Sequence, residues 1–354
     1  MQLADLLGIR WPLLQAPMAG VQGSRLALAV CEAGGLGALP AAALTPTALD
    51  AEIQRLRAGT DRPWNLNFFC HAPPASDPAR EQAWRGTLRA DYARFGLDVE
   101  HVAATPGRRP FDAGALALVQ AHRPAVVSFH FGLPADDLLA GVRAAGCLVL
   151  ASATTAEEAH WLQARGVDAV IAQGWEAGGH RGHFLSDDLD LQADLPTLLP
   201  RIVAAVDVPV IAAGGIADAR RVSAAMALGA AGVQVGTAYL LCPEADTRAV
   251  HRQALHEPRT TAVTNVFTGR PARGIVNRAM RSWGPLAADV PAFPLATAFS
   301  APLREAAEAQ ALDDYSLLWA GEQFPACREV PAADVTTALV EGFGPQRQDA
   351  LPDR

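Results

Sequence analysis

Eight short apolar segments, each followed by a helical stretch, predict an α/β fold: a (β/α)8 TIM barrel with a small C-terminal helical lobe. Three observations carry this expectation. The eight units occupy roughly 240 residues, close to the size of such a barrel. The segments are continuous apolar runs, as expected of parallel strands buried on both faces. The unusual residues, Gln15, Asn67, His130, Gln173, Gly214, Gly215 and Gln234 to Thr237, sit at or just past the C-terminal ends of those runs. A barrel gathers those ends on one face, the face that carries active sites. A doubly wound sheet is the competing architecture. It should show G-x-G-x-x-G after a strand, and AGGLGAL at 33–39 has glycines at a different spacing.

The segments follow in order. WPLLQAP (11–17) precedes a helix from Ser24 through Glu32. LGALP (36–40) precedes a helix around Thr47 to Arg57, with Thr45 or Thr47 as its cap. WNLNFFC (64–70) is followed by a polar helix from Asp77 and an irregular insertion over 96–110. AVVSFHF (125–131) leads to a helix from Ala135, and CLVLASA (147–153) to one over Thr155 to Arg165. DAVIAQ (168–173) is the sixth strand, VPVIAAGG (208–215) the seventh, with a helix over Asp218 to Leu228, and GVQVGT (232–237) the eighth. The barrel is expected to fill 1–260. Residues 261–354 are read as a loop and helical lobe at the barrel mouth: 264–278 polar and loop-like, 285–302 broken by prolines, helices over 303–318 and 331–341.

Composition narrows the function. The 354 residues are 50% hydrophobic with net charge −8, and the basic residues are scattered. A nucleic-acid surface needs a clustered basic footprint. Five cysteines lie far apart with no C-x-x-C pair, so neither a disulfide framework nor a cysteine zinc site is suggested. No apolar run is long enough to span a bilayer, and MQLADLLGIR lacks the basic and apolar regions of a signal peptide. A soluble cytoplasmic protein is expected. The chain contains no lysine; all 29 basic residues are arginine. Schiff-base chemistry on lysine and a Walker A loop are therefore excluded.

The chemistry concentrates in QGWEAGGHRGHF (173–184), which packs four glycines, two histidines, Gln173, Glu176 and Arg181 into twelve residues. Paired glycines allow close backbone approach to a ligand, and a histidine held by such a loop can act as an acid or base near neutral pH. His180 is assigned that role. Glycines after strands seven and eight, at Gly214, Gly215 and Gly236, with Thr237, form the pattern of a phosphate cup. One such turn would be explained by tight αβ geometry; two in succession, where barrels bind phosphate, favour a ligand. Gln15, Asn67 and Gln173 put three carboxamides on one face. Each offers donor and acceptor, suiting a ring edge such as the dione side of a flavin. His180 and His183 with Asp187 raise metal ligation, but H-x-x-H without a third ligand carries no metal site. His183 is read as structural or surface, His130 as lining the substrate pocket, Glu176 as orienting the loop, and Cys70 as inert.

With these residues in place, the chain resembles the nitronate monooxygenase family, FMN-dependent barrels that also include flavin-dependent enoyl-acyl-carrier-protein reductases. The resemblance runs over most of 1–285. It rests on QAPMAG (15–20), AGGLGAL (33–39), NFF (67–69), SFHFGLP (128–134), QGWEAGGHRG (173–182), AAGGIAD (212–218) and QVGTAYL (234–240). It implies FMN contacts at Asn67, Gln173, Gly178, Gly215 and Gln234, Val235, Gly236 and Thr237, and His180 as the catalytic histidine. QAPMAG adds Gln15, Ala16, Pro17 and Met18 to the cofactor-binding set, and the two glycine pairs add Gly179 and Gly214. Relatives line the substrate pocket with tyrosines and sometimes a lysine; this chain has only Tyr92, Tyr239 and Tyr315. The implied reaction is oxidation of an alkyl nitronate, such as propionate 3-nitronate, by O2 to a carbonyl compound and nitrite. The alternatives are an NAD(P)H-dependent flavin reductase of quinones or enoyl thioesters, and a non-redox phosphate-binding barrel isomerase.

Overall fold

The computed structural model describes residues 2–105 and 107–344. Eleven strands run in chain order: β1 (Leu13–Gln15), β2 (Gly37–Pro40), β3 (Trp64–Phe69), β4 (Val126–His130), β5 (Leu148–Ala153), β6 (Ala169–Gln173), β7 (Gly179–His180), β8 (Val210–Ala213), β9 (Gly232–Val235), β10 (Thr261–Thr264) and β11 (Ala272–Ile275). Eight of them form one parallel sheet in the order β1-β9-β8-β6-β5-β4-β3-β2. A parallel bridge between Leu14 and Leu36 brings its two ends together, with Gln15 N donating to Leu36 O and Leu36 N to Leu13 O, both at 2.9 Å. This is the expected TIM barrel, strand for strand.

Local chemistry explains why the units form. Each apolar run is buried on both faces; all six residues of β3 are buried. Six of the helices between them start at coded caps. Thr45, Asp77, Asp112, Thr155, Asp194 and Asp218 each accept a hydrogen bond from the backbone N–H three residues on, which satisfies a donor the first helical turn leaves open. Gly37 lets the helix Ser24–Glu32 lie against β2, since a Cβ there would stand 2.1 Å from Ala27 O. The N-terminal helix Leu3–Leu7 packs Leu3 and Leu7 against the inward residues Leu14, Leu36, Val126 and Ile211.

The region after the barrel departs from the expectation. The loop-like 264–278 segment begins at the end of one strand and contains another: β10 and β11 form an antiparallel hairpin, and β11 also pairs with β7, matching Ala272 to His180 and Arg273 to Gly179. Arg273 hides the strand pattern. It points a guanidinium into the fold, donating to Trp175 O at 2.9 Å and Thr261 Oγ1 at 3.1 Å. The helix read over 303–318 lies instead at Ala296–Glu308. It carries Pro302 inside it because Phe299, Leu303 and Ala307 are buried on one face, and that burial outweighs the lost hydrogen bond. A second core joins Val266, Phe267, Trp283, Phe299 and Tyr315 with Trp84, Leu88 and Tyr92 from the helix Pro78–Arg94. The helix Ala332–Val340, by contrast, packs Val335 and Leu339 into the barrel core. Among the described residues, no helix is long and apolar enough to cross a membrane.

Candidate active site

A cleft with about 1420 Å³ of empty space, counted to its open mouth, lies at the C-terminal ends of the barrel strands. Two kinds of wall face each other. One is backbone: Gly214 and Gly215 after β8, and Gly236 and Thr237 after β9. Gly214 and Gly215 have φ of 116° and 66°, left-handed values that favour glycine. The N–H groups of Gly215, Gly236 and Thr237 donate to no protein acceptor among the described residues. Thr237 Oγ1 accepts from Gly321 N at 3.0 Å, drawing the post-barrel chain to the edge of the cup.

The other wall is side chain. Its centre is His180, which β7 holds against β11. Gln173 and Arg181 fix the loop between. Gln173 donates from Nε2 to His180 O at 2.9 Å and accepts from Gly182 N at 2.7 Å. The fully buried Arg181 donates to Gly174 O, Gln173 O and Gln192 Oε1. Glu176 accepts from Leu195 N at 2.9 Å and so ties the loop to the next helix. The imidazole of His180 is ringed by Phe69, Phe131, Phe293 and Trp319, with centroids 5.3–6.0 Å away.

Thr268 Oγ1 lies 3.0 Å from His180 Nε2 and 3.3 Å from Arg270 O; where the hydroxyl donates to Arg270 O, it accepts from His180 Nε2. In that arrangement Nε2 carries the hydrogen and Nδ1 the lone pair; Nδ1 has no hydrogen-bond partner among the described residues. Burial among the rings holds the His180 pKa well below the usual histidine value, and the Arg108 charge lowers it further, followed by His130 and Arg270. His130 differs. Its Nε2 donates to His180 O at 3.2 Å and its Nδ1 accepts from Ser152 at 2.5 Å, so both nitrogens are occupied. Burial pushes it down to about 3.

Of the residues expected from sequence to bind a cofactor, Ala16, Pro17, Met18, Asn67, Gln173, Gly178, Gly179, Gly214, Gly215, Gln234, Val235, Gly236 and Thr237 all line this cleft, as do His130 and His180. Gln15 does not. It is fully buried, and its carboxamide is spent on Gln22 Oε1 and Ala38 N; it locks β1 to β2 rather than reaching a ligand. Gln173 lines the cleft with both ends of its carboxamide committed to the His180 loop. None of the three tyrosines lines it: Tyr92 bonds Phe299 O, Tyr239 bonds Thr336 and Tyr315 bonds Asp91. His183 is buried and outside the cleft. Sequence reasoning missed Arg108, Phe293, Thr268 and Trp319, which arrive from the insertion and the post-barrel segment. The arginine-rich run 264–278, which holds Thr268, and the reading of 261–354 as a lobe at the barrel mouth pointed to that region without marking the residues.

The residues suit a phosphorylated flavin. The cup supplies free N–H donors for an anion, and Gln234 Oε1 is buried without a partner among the described residues, an acceptor awaiting a donor. Asn67 donates twice to Ser128 and leaves its oxygen unengaged.

Comparison with known proteins agrees with this geometry. The sequence model of the family described as nitronate monooxygenase matches residues 1–342. A nitronate monooxygenase of Pseudomonas aeruginosa is 43% identical over 95% of this chain and 97% of its own length. One from Paraburkholderia phytofirmans is 41% identical over 95% and 93%. The crystal structure of a nitroalkane oxidase from Streptomyces ansochromogenes superposes with a TM-score of 0.89 at 39% identity, covering 96% of this chain and 97% of that one. FabK from Thermotoga maritima shares the architecture more distantly, at 26% identity and a TM-score of 0.70 over 97% and 96%. The chain belongs to the nitronate monooxygenase family and is a flavin-dependent oxidoreductase.

Proposed function

We propose that the chain binds FMN noncovalently and oxidises alkyl nitronates of the propionate 3-nitronate kind with O2, giving a carbonyl compound and nitrite. The observation that carries this reading is His180: an imidazole kept neutral by burial, its Nδ1 without a protein partner among the described residues, ringed by aromatic side chains and facing a backbone cup across one cleft. FMN, when bound, supplies the electron acceptance and the reaction with oxygen. The chain's own residues do the rest. Gly215, Gly236 and Thr237 offer N–H groups to the phosphate. Gln234 and Asn67 offer oxygens to the flavin's donors. Gln173 and Arg181 keep the His180 loop from moving. The aromatic wall excludes water from the reacting carbon. Arg108 and Arg270 lie near His180 without a carboxylate partner among the described residues, so the site favours an anion, which a nitronate is.

A nitronate has already lost its α-proton, so His180 takes a proton from solvent as the anion binds, holds it against the substrate and returns it when nitrite leaves. An anion bound beside it offsets the arginine charges and raises the histidine's proton affinity within the complex. That is the direction an acid/base group needs from a resting value far below neutral. The test offers alkyl nitronate with oxygen in one assay and NAD(P)H with a quinone or enoyl thioester in another. The expected result is nitrite release and oxygen uptake with little flavin reduction by NAD(P)H. Rapid reduction by NADH or NADPH with negligible nitrite would replace this reading with the reductase.

A further inference from the structure

We propose that Arg108 is a specificity-determining residue that takes a carboxylate carried by the nitronate substrate. The inference deepens the proposed function and rests on it for the nitronate itself. Arg108 belongs to the insertion after the helix Pro78–Arg94, whose end is pinned to the barrel where Phe111 N donates to Phe69 O at 2.8 Å. Arg108 lines the cleft. Its guanidinium donates from Nη1 to Thr297 Oγ1 at 3.0 Å, and its Nε is buried with no partner. Among the described residues it forms no ion pair. It stands 5.9 Å from the centre of the Phe293 ring, whose centre is 5.3 Å from that of His180. A fixed cation and the bare imidazole thus flank the same aromatic ring.

An arginine held partly out of water with no carboxylate has lost hydration that the protein does not replace. A planar guanidinium matches a carboxylate bidentately and discriminates against uncharged groups. The chain has no lysine, so only an arginine can supply a permanent cation here. Arg270 does not serve equally: it donates to His183 O, stacks at 4.2 Å on Phe131, and does not line the cleft. The substrate class indicated is a short-chain nitronate with a terminal carboxylate, its nitronate carbon near His180 and its carboxylate at Arg108.

The experiment compares kcat/KM for the nitronates of 3-nitropropionate and 1-nitropropane in the holoenzyme, in Arg108→Gln and in Arg108→Lys. The carboxylated substrate is expected to be preferred about 10–100-fold. Arg108→Gln should erase that preference mainly through KM, and Arg108→Lys should restore part of it. A preference that survives Arg108→Gln, or a fall of equal size for both substrates, overturns the assignment. Calorimetric titration of the same three proteins with the parent nitro compounds gives a readout independent of turnover. Tighter binding of 3-nitropropionate than of 1-nitropropane, lost in Arg108→Gln, supports the site even if no nitronate is oxidised, in which case the proposed function alone fails. Equal binding of the two by the wild type contradicts the site and leaves the function standing.

Discussion

The two walls of the cleft are built differently. The cup at β8 and β9 is made of backbone, held by glycines whose conformation the local sequence dictates. The opposite wall is made of side chains: His180 from one barrel loop, Arg108 from an insertion and Trp319 from the post-barrel segment, with Thr268 and Phe293 backing His180. One wall suits a group common to many enzymes; the other selects the reaction. If that division is correct, changes on each side should fail in different ways.

The largest effect is expected at His180. Replacing it with Asn keeps size and polarity and removes the titratable lone pair. General acid or base catalysis is worth about 10²–10⁴-fold, so His180→Asn should lose turnover on that order while its flavin content stays at the wild-type level. Loss of flavin together with turnover would erase the division between the walls.

Gly236→Val makes the reverse break. A Cβ at Gly236 would come 3.1 Å from Ala16 Cβ and 3.4 Å from Met18 Sδ, so the branched side chain must push cleft-lining residues aside. Overpacking of this kind costs about 1–3 kcal/mol, which, borne by the flavin-bound state, corresponds to a loss of flavin affinity of about 5–150-fold. Circular dichroism should remain native-like. An unchanged affinity would mean the phosphate does not sit in the cup.

The legibility of the site follows the same line. Glycines at Gly214, Gly215 and Gly236 could be read from sequence because backbone geometry is local. The cap at Thr45 and the helix starts near Asp77 and Asp218 could be read for the same reason. Gln15 misled, because a polar residue at a strand end can bond a neighbouring strand as readily as a ligand, and here Gln22 and Ala38 claim it. The partners of His180 could not be found, since Thr268 lies 88 residues away along the chain and no local pattern marks it. The β10–β11 hairpin was obscured by the buried Arg273, whose polar contacts form only in the folded chain.

Thr268→Val sharpens the account of the side-chain wall. It removes the hydroxyl that hydrogen-bonds His180 Nε2 at 3.0 Å. One neutral hydrogen bond is worth about 0.5–1.5 kcal/mol, so kcat should fall about 2–10-fold with flavin content unchanged. A kcat equal to wild type would show that Thr268 does not hold the imidazole.

The smallest effect concerns stability. Burial lowers His71 to about 4, and His130 and His183 to about 3. Their folded values lie below the unfolded one, so the unfolded chain takes up protons first. Stability is fully present above about pH 6.5 and is lost as pH falls towards about 3. The melting temperature should drop across that window, and His183→Asn should reduce the slope without altering flavin content. A slope unchanged by that substitution would show that His183 does not titrate this way.

The most direct test of the central claim is to heat-denature the purified protein and identify the flavin in the supernatant. The account predicts FMN at about one per chain, as a single anion-binding cup implies. A colourless protein that cannot be reconstituted with FMN would contradict it.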